Sequence, residues 1–294
     1  VIYFGLFLQQ LIAATTHVIA KSVTGEVHPV LVVLWRGVFT CLAYGTWFLL
    51  ARSLVKRIER KDWPTLLLLG AINIPINQLL FIWGVKYTTA PNAALAYALT
   101  PMFVVIIGMM FFKDRPHGRR LLGLVLAVIG AIVVLLDRGA STSASHMLGN
   151  VMVLMASASW AVYTVMGRRV AVKYGPLYTT GLSFFTGLLL YLPVALLVPV
   201  ATPMDPLIYG TITQTALTSW AQLLYLGVIT SGVGYAIWVW ALTRLDSSQV
   251  SVFNNLQPVL TTILAFFLFG QVPSLIFVVG GVIALTGVIM TQRS

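Results

Sequence analysis

The sequence predicts an all-α polytopic membrane protein: ten transmembrane helices arranged as two inverted five-helix repeats (5+5). Three observations carry this. Of 294 residues, 59% are hydrophobic and 9% charged, against roughly 25% charged in a soluble domain. The apolar residues fall in ten runs, each near the roughly 20 residues a helix needs to cross the hydrocarbon core. The chain also matches itself at an offset of 157 residues. Composition argues against a soluble enzyme, a disordered binder and a disulfide scaffold. The single Cys41 excludes an intramolecular disulfide and leaves redox chemistry without a second thiol.

In order, the runs are 1–20, 30–51, 65–85, 92–112, 121–136, 150–166, 177–198, 221–242, 250–269 and 275–290. No period-2 alternation persists along them, which disfavours a β-barrel. The chain starts at Val1 with neither an initiating Met nor a basic leader, so its first residues are expected to be missing and no cleavable signal peptide is read. The first run is expected to be a permanent helix, because a second follows after a short loop.

The formal charge of +11 is explained by position. Even-numbered loops and the C-terminus hold 14 of the 18 Lys and Arg residues: Arg52, Lys56, Arg57, Arg60 and Lys61; Lys113, Arg115, Arg119 and Arg120; Arg168, Arg169 and Lys173; Arg244; and Arg293. Odd loops hold only Lys21, Lys86 and Arg138, and Arg36 lies inside the second run. The positive-inside rule therefore places both termini in the cytoplasm. With four acids on that side the inner face is +10. The basicity is a topology signal and no argument for nucleic acid.

At the offset of 157 there are 17 identities over positions 63–133. They include Trp63/Trp220, Trp83/Trp240, Pro101/Pro258, Pro116/Pro273, Gly70/Gly227, Gly123/Gly280 and Gly130/Gly287. A weaker match with another offset pairs Pro29 with Pro176 and Tyr44 with Tyr191. The two repeats are expected at 1–138 and 149–294. Five helices per half is an odd number, so the second copy enters the membrane from the opposite side. Such inverted repeats let one site face either side alternately.

Polar residues cluster inside the runs. Asn73, Asn77 and Gln78 fall in the third, Tyr97 and Thr100 in the fourth, and Ser157, Trp160, Tyr163 and Thr164 in the sixth. Thr230, Ser231, Tyr235 and Trp238 lie in the eighth; Asn254, Asn255 and Gln257 lie in the ninth. The offset pairs Asn73 with Thr230, Gln78 with Tyr235 and Tyr97 with Asn254. Polar symmetry mates in apolar helices point to a shared central cavity, the alternative being interhelical hydrogen bonds. The cavity is expected to hold Asn73, Asn77, Gln78, Tyr97, Trp160, Tyr163, Tyr235, Trp238, Asn254 and His17, with Pro101 and Pro258 as hinges. Its rings are too deep for an interfacial belt and suit an amphipathic solute such as a zwitterion with an apolar side chain. Two readings of Arg36 stay open: pairing with a substrate carboxylate, or snorkelling outward or capping carbonyls. For His17 they are a proton-sensing group or a neutral, hydrogen-bonded ring.

No Asp or Glu lies within a run, so the usual proton or cation carrier of a pump is absent. No HExxH, GxSxG or P-loop pattern and no clustered His/Cys set occurs, which leaves neither metal nor cofactor expected and disfavours a membrane enzyme or scramblase.

The segments Ala90-Pro-Asn-Ala-Ala-Leu through Thr100-Pro101, and Ser247-Ser-Gln-Val-Ser through Gln257-Pro258, with Ser159-Trp160-Ala-Val-Tyr163, resemble the EamA branch of the drug/metabolite transporter superfamily over the whole chain. Within the branch the chain looks most like exporters of aromatic amino acids. It departs from the pattern where members often carry a Glu, reading Lys113-Asp114-Arg115-Pro116 and Gly270-Gln271-Val272-Pro273. The resemblance implies export of amino acids or similar metabolites from a bacterial cytoplasmic membrane; the inverted repeat points to alternating access, and the absence of a buried carboxylate to facilitated diffusion. The partners would be a small-molecule substrate and the bilayer, with a monomer as the expected unit. Efflux of aromatic cationic drugs is the alternative transport reading; a receptor or scaffold would not need polar symmetry mates.

Overall fold

A computed structural model describes residues 1–51, 57–112, 118–135, 144–201 and 216–292, and every regular element among them is helical. Arg52, Lys56, Lys113, Asp114, Arg115, Pro116, Asp137, Arg138, Asp205 and Arg293 lie outside the described residues. In chain order the helices are α1 (Ile2–Val23), α2 (Pro29–Leu50), α3 (Arg60–Tyr87), α4 (Ala90–Met110), α5 (Gly118–Leu135), α6 (Ala144–Tyr174), α7 (Pro176–Leu197), α8 (Leu217–Leu242), α9 (Ser247–Phe269) and α10 (Leu275–Gln292). All but α5 and α10 are long and apolar enough to cross a membrane; those two contribute the shorter apolar stretches Leu121–Gly130 and Leu275–Met290. The protein is a multi-pass membrane protein, and its surface agrees. Phe267, Leu196 and Leu217 are exposed, whereas Gln10, Asn73, Ser157 and Asn254 are buried, an arrangement suited to lipid as the outer solvent.

Local chemistry sets the ends. His28 accepts a hydrogen bond from the Val30 amide at 3.3 Å and Pro29 opens α2. Thr89 caps α4 by accepting from the Asn92 amide, also at 3.3 Å. Asp246 and Gln249 form a capping box at the start of α9. Between α6 and α7 stands one residue, Gly175, whose φ of 95° is readily adopted only without a Cβ. Consequently α6 does not stop at 166 as its hydropathy predicts, but runs 31 residues to Tyr174. Arg168 and Lys173 are good helix formers and find partners across the bundle end. Arg168 pairs with Asp246 at 2.8 Å, and Lys173 with Glu59 at 2.6 Å. Hydrogen bonding from Lys173, then from Lys61, holds the exposed Glu59 carboxyl below its usual range.

Among the described residues, four helices depart from regular α geometry. Residues Ile72–Gln78 of α3 and Leu226–Gly234 of α8 are π-helical. Pro75, inside the first, lacks an N–H and its ring clashes with a preceding carbonyl in a regular α-helix; a wider turn accommodates both. The chain turns at Leu99 in α4 and forms a 3-10 turn over Val252–Leu256 in α9. Both breaks immediately precede Thr100-Pro101 or Gln257-Pro258. Residues 72–77 and 229–234 are related by the offset of 157, and so are the two breaks.

Close packing follows the same relation. A Cβ on Gly130 would collide with the Ala284 backbone, and one on Gly287 with that of Ala127. Gly70 abuts Thr186 and Gly187 of α7, while Gly227 abuts Phe39 and Thr40 of α2. Gln10 of α1 bonds Gln257 of α9 at 2.8 Å, and Ser157 of α6 bonds Thr100 of α4 at 3.0 Å. Offsets of 157 for one partner and 157 or 147 for the other exchange the members of each pair. Gly130→Leu is expected to destabilise the detergent-solubilised protein by about 1–3 kcal/mol, the range for overpacking. Gly118→Leu, where an added Cβ meets nothing within 4 Å, is the control, and the unfolding midpoint is the measurement.

Candidate functional site

Where the broken helices meet, α1, α2, α3, α4, α6, α8 and α9 surround a cavity of ≈ 60 Å³. One wall is a set of mutually edge-on rings. His17 lies 5.2 Å from Phe81 and 5.5 Å from Tyr97, and Phe81 lies 5.6 Å from Tyr97. Another wall is built on Trp160, which meets Tyr235 edge-on at 4.7 Å. Polar groups complete the lining: Gln9, Thr16, Arg36, Asn77, Thr230 and Gln257.

Of the residues expected from sequence, His17, Asn77, Tyr97, Trp160 and Tyr235 line this cavity. The Asn77 amide nitrogen lies 3.0 Å from the Tyr97 hydroxyl and 2.7 Å from the Ala156 carbonyl, which ties α3 to α4 and α6. The other five stand behind the wall. Tyr163 stacks on Trp160 at 5.2 Å and an 11° interplanar angle, while its hydroxyl meets Ser183 at 3.0 Å. Trp238 packs 5.6 Å from Trp160 and donates to Thr164. Asn73 donates to Ser183 and accepts from Gln78, both at 3.3 Å. Asn254 accepts from Gln257 at 3.1 Å and from Gln10 at 3.3 Å. Pro101 and Pro258 are buried just beyond the backbone breaks and are not among the residues lining the cavity.

Sequence reasoning did not select Gln9, Thr16 or Phe81, and left Arg36, Thr230 and Gln257 outside its expected site. Gln9 and Thr16 share the α1 face of His17 at helical spacing, a signal available in the sequence. Phe81 carries none, since one Phe in an apolar run is indistinguishable from core. Gln257 is joined to His17 at 2.9 Å and to Gln10 at 2.8 Å, so one amide lattice binds α1 to α9.

Two larger clefts open at the bundle end that carries Arg168, Arg169 and Lys173. One, of ≈ 300 Å³, is lined by Val104, Val105, Gly108, Arg168 and Ser247. The other, of ≈ 600 Å³, lies over Thr65, Ile107, Val162, Met166 and Val170. Among the described residues no group of three or more His, Cys, Asp or Glu is placed to hold a metal ion.

The sequence profile of the EamA-like transporter family matches residues 1–136 and 147–293. A transporter of Archaeoglobus fulgidus is 29% identical over 288 residues, covering 97% of this chain and 95% of that protein. The Bacillus subtilis transporter YyaM is 26% identical over 290 residues, covering 98% and 92%. A probable terminal-alkyne amino-acid exporter of Streptantibioticus cattleyicolor is 27% identical over 239 residues, covering 81% and 76%. One crystal structure superposes with a TM-score of 0.68 over 99% of this chain and 96% of the other, at 18% identity, a likeness of fold.

Proposed function

The chain belongs to the EamA-like transporter family, a family of membrane transporters of small molecules and not of enzymes, and from that premise we propose that it exports amino acids or closely similar metabolites by alternating access through the central cavity. The observation that carries this reading is the lining itself: His17, Asn77, Tyr97, Trp160 and Tyr235, supplied by five different helices, converge on one cavity. Rings accept an apolar side chain or an ammonium group, and amides and hydroxyls orient the polar end. The amino-acid exporter among the similar proteins supports the substrate class.

Alternating access draws support from the paired contacts. Exchange of partners between Gly130/Ala284 and Ala127/Gly287, and between Gln10/Gln257 and Ser157/Thr100, is the reciprocity that a two-fold axis produces. It fits two inverted five-helix repeats, about 1–138 and 149–294, that bend about Pro101 and Pro258. A cavity of ≈ 60 Å³ has room for only a few waters, so loading an amino acid requires the helices around it to separate. The clefts beside Arg168, Arg169 and Lys173 are then the cytoplasmic approach, with both termini on that side of a bacterial cytoplasmic membrane.

With no carboxylate in any of the ten apolar runs, transport runs down the solute gradient. Counterflow of labelled amino acids into proteoliposomes tests this. We expect exchange with neutral or aromatic amino acids and no net uptake when only a pH gradient is imposed. Uptake driven by the pH gradient alone would overturn the uncoupled mechanism, and absence of counterflow across the amino acids would overturn the export reading.

A further inference from the structure

We propose that Arg36 is the anion-binding group of the cavity and that the solutes carried therefore bear a carboxylate. The proposal rests on the reading of this cavity as the transport site. Arg36 is only 3% exposed and a guanidinium stays charged in any protein environment. A charge so deep in a membrane protein is ordinarily paired, yet among the described residues Arg36 makes no ion pair. Its Nε donates to Ser231 Oγ at 2.6 Å, in the π-helical turn of α8. That bond points the side chain across the bundle, so it does not snorkel to the interface. Nor does it cap carbonyls, because neither terminal nitrogen has a protein partner among the described residues.

Those two nitrogens are not among the sealed, unpartnered polar atoms of the interior, and Arg36 lines the cavity together with Thr230, Thr16 and His17. With Nε anchored, the terminal nitrogens form the planar fork that receives a carboxylate bidentately. A solute carboxylate there neutralises the one fixed charge in the cavity. The ammonium of a zwitterion then falls to the faces of Tyr97, Trp160 or Tyr235. An amine without the acid would instead place a second cation beside Arg36 and be repelled. The same feature that admits amino acids thus rejects cationic drugs.

The test uses the full chain in nanodiscs with four probes of one skeleton: phenylalanine, 3-phenylpropionate, phenylalaninamide and phenylethylamine. Binding is read by calorimetry and by thermal shift. The two acids are expected to bind at least about tenfold more tightly than the amide and the amine, the scale of a charge-assisted hydrogen bond. In Arg36→Gln the acids lose that advantage, while the ligand-free protein melts at a higher temperature because an uncompensated buried charge is gone. Arg36→Lys recovers part of the acid binding. Equal binding of amine and acid by the unsubstituted protein, no acid binding at millimolar concentration, or unchanged acid affinity in Arg36→Gln overturns the proposal. If Arg36→Gln does not fold, the comparison of acid with amine still decides. Acid binding without counterflow keeps the carboxylate site and sinks the export reading; counterflow with no preference for the acid does the reverse.

Discussion

Trp160→Ala is expected to lower the initial rate of counterflow at least a hundredfold while the protein still inserts and elutes as a single species. Trp160 lines the cavity and touches three further rings: Tyr163 at 5.2 Å, Tyr235 at 4.7 Å and Trp238 at 5.6 Å. Truncating a large buried ring costs about 3–5 kcal/mol. Here the loss falls on the wall proposed to contact solute, and Tyr163 and Tyr235 are left free to collapse inward. Each 1.4 kcal/mol of lost binding is about a factor of ten, so a hundredfold loss asks only about 3 kcal/mol of the interaction. Trp160→Phe retains a ring and should stay within about tenfold of the original rate. Tyr97→Ala, which removes one ring from the His17/Phe81 group, should also impair transport. Counterflow at the normal rate in well-folded Trp160→Ala would remove the cavity from the mechanism.

The next largest effect is expected at Gln257, which holds α9 to α1. Its amide nitrogen donates to Gln10 at 2.8 Å and to Asn254 at 3.1 Å, and its oxygen meets His17 at 2.9 Å. Gln257→Leu leaves the Gln10 side-chain oxygen and His17 Nε2 buried and unpaired, at about 1–3 kcal/mol for each orphaned group, while Asn254 keeps its bond from Gln10. Counterflow should fall at least tenfold, together with the unfolding midpoint. The related position, Thr100, makes one such bond, to Ser157 at 3.0 Å. Thr100→Val should therefore move the midpoint by less than half as much. Equal effects at the two positions would mean that the α1–α9 lattice is no stronger than its counterpart.

What could be read in advance, and what could not, follows from the range of each force. Hydropathy is summed over about 20 residues, so the eight helices of membrane-crossing length among the described residues were legible. Boundaries were less so. Charge at Arg168, Arg169 and Lys173 was read as loop, but a helix continues past the hydrocarbon wherever its side chains find partners and no breaker intervenes. Gly175-Pro176 was the breaker in plain view.

The candidate site divides in the same way. His17, Asn77, Tyr97, Trp160 and Tyr235 are conspicuous because polar and aromatic groups are rare deep in a span. That Tyr163, Trp238, Asn73, Gln78 and Asn254 stand behind the wall depends on helix rotation, which is set by packing against neighbours. The π-helical turns of α3 and α8 rotate everything beyond them, and no linear pattern announces them except Pro75.

The sequence by itself determined that this is a multi-pass helical membrane protein, where its positive charge lies and how its two halves correspond. These depend on composition and spacing, which act along the chain. Only the tertiary structure decided which polar groups face the cavity and that Arg36 turns inward with no acid paired to it among the described residues. Whether a charge is paired is a property of what surrounds it in space, and the bond from Arg36 to Ser231 spans 195 residues of sequence.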